Sequence, residues 1–311
     1  MRSFSLLFSV LISGVLSIAP AWADEKIPVM ASFSILGDLV QQVGGKHVAV
    51  TTLVANNSDA HVYQPTPQDT IRLTKSKLFV VNGLGFEGWM ERLVSASHYK
   101  GKVITASSGI QPLSFGEDAH HEEEEEQHDA AEHRHGSQDP HAWHSIPNTI
   151  QYVRNIANGL SQIDPAHQAD YQANAGRYIQ QLEQLDKTLL QAFAAIPAEK
   201  RKMITSHDAF GYLSHRYQIT TIAPQGVSTE AEASASDVAK IIRQIRKENI
   251  KALFVENISD PRLMQQISKE TGVQPGKALF SDALSDNKGP ASTYLDMMRY
   301  NTAQILTALK Q

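Results

Sequence analysis

The chain has 311 residues, 41% of them hydrophobic and 20% charged, which is room for two ordinary domains and excludes a disordered or fibrous protein. A net charge of -5 gives no sign of a nucleic-acid surface. The absence of cysteine excludes disulfides and thiolate metal ligands, whereas 13 histidines are many for this length and are clustered.

Residues 1–23 read as a secretory signal. Arg2 supplies the positive start, Phe4 to Ile18 the apolar stretch, and Ala21-Trp22-Ala23 the small-x-small cleavage pattern before Asp24. The apolar stretch is short for a membrane span, and no later segment reaches that length. With no cysteine to carry a lipid, the expected product is a soluble, unlipidated protein of a diderm periplasm.

From Asp24 onward strands and helices alternate. Ile27 to Ser34 is strand-like, and Ile35 to Val43 is helical and closed by Gly44-Gly45. Val48 to Ala55 is a second strand. Thr66 is a suitable N-cap for a helix over Pro67 to Ser76. Lys77 to Asn82 and Lys102 to Ala106 are further strands flanking a helix over Glu87 to Ser97. Such alternation predicts parallel βαβ units, with functional loops at the carboxyl ends of the strands.

Glu117 to Ser137 interrupts this rhythm with His120, His121, His128, His133 and His135 around an unbroken acidic run, Glu122 to Glu126. It has too little apolar surface to offset its ordering entropy and is expected to be a mobile loop. It is either an accessory that captures metal ions weakly or a solvated insertion without a role.

A helix is expected over Ile150 to Leu160. A much longer one follows from the Asp164-Pro165 start to about Ala195, spanning roughly 45 Å at 1.5 Å per residue. Strands at Met203–Thr205, Thr220–Ala223, Lys251–Glu256 and Lys277–Phe280 then alternate with helices. One of these carries Val238, Ile241, Ile242 and Ile245 on a single face, and others cover Pro261–Thr271 and Thr293–Leu309. The expected architecture is α/β, two (β/α) lobes with mostly parallel sheets joined by one long rigid linker helix. The expected division is an N-terminal lobe over 24–163, the linker over 164–196 and a C-terminal lobe over 197–311.

His61, His141, His207 and Asp282 each fall in a turn after a strand or just beyond the acidic loop, two from each half of the chain. Any one alone would read as a surface or hydrogen-bonded residue. Four at equivalent topological positions read as a site.

The segments around them resemble the solute-binding proteins of zinc and manganese ABC importers, the cluster A-I metal-binding family. The resemblance lies in Asp59-Ala-His-Val-Tyr-Gln-Pro-Thr-Pro, with Ala60 where proline is usual, in Asp139-Pro-His-Ala-Trp, in Gln225-Gly-Val-Ser-Thr-Glu-Ala-Glu-Ala-Ser and in Phe254-Val-Glu-Asn-Ile-Ser-Asp-Pro. It implies His61, His141, His207 and Asp282 as ligands of one tightly held Zn²⁺, delivered to an inner-membrane ABC permease. A periplasmic zinc chaperone is a further candidate partner, and the protein is expected to be monomeric. Ser206-His207-Asp208-Ala209-Phe210 carries an imidazole where manganese-type members resemble Ser-Glu-x-x-Phe, and a His₃Asp set suits borderline Zn²⁺ better than Mn²⁺.

Asp59, Asp208 and Glu256 are candidates to hold the rings' second N–H groups. His144, three residues after His141, is expected at the cleft rim or in solvent rather than as an alternative ligand. A zinc hydrolase is disfavoured because the chain has neither a His-Glu-x-x-His nor a Gly-x-Ser-x-Gly motif. A zinc buffer, chaperone or adhesin without an importer, or a manganese-specific member, remains compatible with the sequence.

Overall fold

The computed structural model describes residues 25–114 and 138–311. The signal-like segment, the cleavage site and the five loop histidines His120, His121, His128, His133 and His135 lie outside the described residues.

The first half builds a parallel sheet from β1 (Ile27–Ala31), β2 (Val48–Thr52), β3 (Leu78–Val81) and β4 (Lys102–Thr105), in the order β2-β1-β3-β4. β3 is buried throughout, as the continuous apolar run Leu-Phe-Val-Val requires of a strand covered on both faces. Helices α1 (Ser34–Gly44), α2 (Pro67–Lys75) and α3 (Met90–Ser97) alternate with these strands. Gly45, at φ 57°, takes the positive angle that ends α1. The second half carries β5 (Lys202–Ile204), β6 (Thr220–Ile222) and β7 (Ala252–Leu253), again all parallel, in the order β6-β5-β7. The strand expected over Lys277–Phe280 is a single bridge between Leu279 and Glu256. Leu279 N–H donates to the Val255 carbonyl and Asn257 N–H to that of Leu279, each at 2.9 Å.

Between the sheets run α4 (Ile146–Ile163) and the 27-residue α5 (Gln168–Ala194), about 40 Å long. The expected start of the long helix is displaced. Pro165–His167 forms a short 3-10 turn, and Asp164 does not cap it. The Asp164 carboxylate instead accepts from the Tyr171 hydroxyl at 2.6 Å and meets His167 Nδ1 at 2.7 Å. One apolar core joins the two sheets: Met30 of β1, Tyr152 of α4, Leu182 and Phe193 of α5 and Met203 of β5 belong to it. Ile204, next to Met203, faces the opposite side, where Leu253 packs with helices α7 (Ala235–Glu248) and α8 (Arg262–Thr271). Helix α6 (Gly211–Tyr217), which the sequence pattern does not announce, and α9 (Tyr294–Leu309) complete the fold.

Candidate metal centre

Loops at the carboxyl ends of the strands bring His61, His141, His207 and Asp282 to one point, with one ligand atom from each lying within 4.8 Å of the others. His61 follows β2 on a loop braced by Asp59, whose Oδ1 accepts the His61 backbone N–H at 2.8 Å, and by Trp89, whose indole N–H donates to the Ala60 carbonyl. His141 precedes a single 3-10 turn, Ala142–His144. Asn82, just beyond β3, donates from Nδ2 to the Pro140 carbonyl at 2.9 Å and so fixes the backbone entering His141. His207 follows β5. Asp282 follows the Leu279 bridge, and the Trp143 indole donates to the neighbouring Ser281 carbonyl at 3.0 Å, which ties this loop to the first half of the chain.

The spacings match a metal shell. His61 Nε2 lies 3.2 Å from His141 Nε2 and 3.3 Å from Asp282 Oδ2. His207 Nε2 is 3.3 Å from Asp282 Oδ2, and His141 Nε2 is 3.7 Å from Asp282 Oδ1. A tetrahedral ion with arms of 2.0–2.1 Å separates its ligand atoms by about 3.3–3.4 Å. Both Asp282 oxygens are buried without an aligned hydrogen-bond donor, an arrangement that costs free energy unless a cation is held there. Phe86 walls the site, its ring 4.8 Å from that of His61 and 5.9 Å from that of His141.

Two carboxylates orient the rings from behind. Asp139 Oδ1 lies 2.8 Å from His141 Nδ1 and also accepts the His141 backbone N–H at 2.9 Å. Glu256 Oε2 lies 2.5 Å from His207 Nδ1, while its Oε1 accepts the backbone N–H groups of Ser206 and His207 at 2.8 and 3.0 Å. Both contacts leave Nε2 pointing into the site, the usual role of a carboxylate behind a ligating imidazole. Asp59 reaches the backbone of His61 rather than its ring. Asp208, half-buried and with a raised pKa because desolvation disfavours its charge and Asp139 repels it, has no hydrogen bond to a site imidazole among the described residues. Asp139 is the orienting carboxylate that sequence reasoning missed, although its place two residues before His141 was available as a signal.

Burial opposes charge on His207, yet Glu256 and Asp282 outweigh it and hold its pKa well above the ordinary value. Burial likewise raises Asp282, but His207 and His141 overcome it and drive its pKa well below the carboxylate range. The buried carboxylates Glu256 and Asp282 thus favour positive charge at the site, which a bound divalent cation would supply.

His144 departs from its expected place. It is fully buried, packed 4.6 Å from the Phe210 ring, and burial together with the neighbouring His141 lowers its pKa to about 3. The hydrogen bond from its backbone N–H to the His141 carbonyl closes the 3-10 turn and turns the ring inward against aromatic neighbours.

Residues 29–308 match the family of the periplasmic zinc-uptake complex component A. The iron-binding protein YfeA of Yersinia pestis is 31% identical over 318 residues, covering 100% of this chain and 97% of that protein. The metal ABC transporter substrate-binding lipoprotein SloC of Streptococcus mutans is 31% identical over 93% of this chain and 92% of its own length. Among solved structures, the periplasmic zinc-binding protein TroA of Treponema pallidum superposes with a TM-score of 0.82 at 28% identity, covering 92% of this chain and 99% of that one. The manganese-bound periplasmic metal-binding protein of Candidatus Liberibacter asiaticus superposes with a TM-score of 0.78 at 30% identity, covering 91% of this chain and 100% of that one. Among the described residues no helix is long and apolar enough to cross a membrane. The chain belongs to the zinc-uptake component A family, whose members are metal-binding components of ABC transporters rather than enzymes.

Proposed function

We propose that the protein carries Zn²⁺ through the periplasm to an ABC permease, holding it between His61, His141, His207 and Asp282. The lobes over 24–163 and 197–311, braced by the linker over 164–196, supply two ligands each. The observation that supports zinc is the third imidazole: His207 stands with Glu256 at its back where a carboxylate ligand would make the site oxygen-rich. Three imidazoles and one carboxylate at tetrahedral spacing suit Zn²⁺, whereas Mn²⁺ favours more oxygen donors. Relatives named for iron and manganese make this position the one to test. The absence of cysteine supports an unlipidated protein, in contrast to the lipoprotein relatives.

The test is competitive loading of the mature protein with equimolar Zn²⁺ and Mn²⁺, read by elemental analysis. Wild type is expected to retain one Zn²⁺ per chain. His207→Glu is expected to lose at least tenfold in zinc preference over manganese. Equal retention of both metals by wild type overturns the zinc assignment.

A further inference from the structure

The segment after β6, Pro224 to Ser234, supplies none of the four converging side chains, yet it is built against the site. Its first residues run beside His207. Gln225 N–H donates to the Ser206 carbonyl at 3.3 Å, Asp208 N–H donates to the Gly226 carbonyl at 3.2 Å, and His207 and Gln225 form an isolated parallel bridge. From that anchor the chain reaches across the cleft, where Thr229 Oγ1 donates to Asp59 Oδ2 at 2.6 Å. The other oxygen of the same carboxylate accepts the His61 backbone N–H. Asp59 is thus shared between the backbone of one ligand from the first half of the chain and a strap rooted beside a ligand from the second. Glu230, Ala231 and Glu232, just past Thr229, face solvent.

We propose that Thr229 is a latch that sets how fast the metal leaves. His141, His207 and Asp282 have no exposure, whereas His61 retains 8%, so the route to solvent passes His61 and the loop that Thr229 holds down. Metal release requires His61 to separate from His207. The Thr229–Asp59 hydrogen bond spans that same divide and must break with it. Because its acceptor is a carboxylate and the pair is half-buried, losing it removes a charge-assisted interaction from the closed state. Thr229 is a positioning residue: it touches no ligand atom and works through Asp59.

This inference rests on the metal-binding reading of the cleft, and the experiment separates the two. Wild type, Thr229→Val, Thr229→Ser and Asp59→Asn proteins are loaded with Zn²⁺ alone. Occupancy is measured first, and release is then followed by stopped flow into excess chelator. Thr229→Val, which keeps the side-chain shape and removes the hydroxyl, is expected to release zinc about tenfold faster with unchanged stoichiometry. Thr229→Ser is expected to restore the wild-type rate. In the Asp59→Asn background, Thr229→Val is expected to accelerate release by less than twofold, since the charged acceptor is already gone. A wild-type release rate in Thr229→Val overturns the latch while leaving the metal site standing. Equal acceleration in both backgrounds overturns it as well, because the hydroxyl would then act through something other than Asp59. Wild-type protein that takes up no metal overturns the latch together with the reading it rests on.

Discussion

A histidine buried without charge makes a fold sensitive to acid, and His144 is such a residue. Its ordinary pKa is 6.5 and its folded value is about 3, because burial and the neighbouring His141 oppose its protonation. The sign follows from linkage. Above pH 6.5 the folded and unfolded forms are both neutral at this ring and it contributes no pH dependence. As pH falls from 6.5 toward 3 the unfolded chain takes up a proton that the folded chain refuses, and stability is lost. Between pH 7 and pH 5 the loss is about 2 kcal/mol from this one ring. His144→Phe, placed against Phe210 and Trp143, removes the titration. Denaturant unfolding of the metal-free protein is expected to show a drop between pH 7 and 5 that is about 2 kcal/mol smaller in the variant than in wild type. Equal drops would show that His144 is hydrated in the native state. The sequence shows four convergent residues because each stands in a short polar motif after a strand. It does not show which way His144 points, because the direction of a ring within a 3-10 turn is decided by packing from distant elements. The same holds for Asp139, whose role depends on where the His141 ring lies.

Among the elements, α6 is the instructive one. Its sequence, Gly-Tyr-Leu-Ser-His-Arg-Tyr, begins with glycine and is rich in weak helix formers, so local propensity gives no sign of it. Tertiary contacts fix it instead. The Tyr212 hydroxyl donates to the Asp139 carbonyl at 2.9 Å, and Arg216 and the Tyr217 hydroxyl hold Asp186 of α5. The long strands and helices are legible because their apolar periods are clear. β7 and the Leu279 bridge are shorter than expected, because only the stretches that face β5 and one another complete a ladder. The glycine that hides α6 also serves the site. A Cβ on Gly211 would overlap Asp139 Oδ2, so only glycine lets the helix start close against the carboxylate that orients His141. Gly211→Ala is therefore expected to shift Asp139 and weaken zinc binding by about 10- to 100-fold in calorimetric titration. Gly176→Ala in α5, whose Cβ would meet nothing within 4 Å, is expected to leave affinity unchanged. An unaltered affinity in Gly211→Ala would mean that Asp139 does not position His141.

At the scale of the whole molecule, the two sheets are not independent bodies that happen to share a linker. The core running from Met30 of β1 through Leu182 and Phe193 of α5 to Met203 of β5 makes one apolar unit, and α5 packs against α1 and α4 from the first half and against α6 and α9 from the second. The loop bearing Asp282 is held from the first half of the chain by Trp143 and by Ser34, whose hydroxyl accepts the Leu284 backbone N–H at 2.9 Å. Asn57 N–H adds a bond to the Leu284 carbonyl at 3.0 Å. A metal gripped by residues from both halves should therefore stabilise the fold as a whole, because it binds the assembled native state and has no equivalent site in the unfolded chain. Free metal at 1,000 times its Kd stabilises by about 4 kcal/mol. Calorimetry of the mature protein is expected to show one transition that rises by several degrees on zinc addition and returns on chelation. In His207→Ala most of that rise disappears, because the site keeps only three of its four ligands and the second half of the chain holds the ion through Asp282 alone. Two separate transitions, with zinc moving only one of them, would instead mean that the halves unfold independently and that the shared core does not couple them. One coupled transition is what the continuous core demands, and from the same continuity any opening of the cleft is expected as small tilts about α5 rather than a wide hinge.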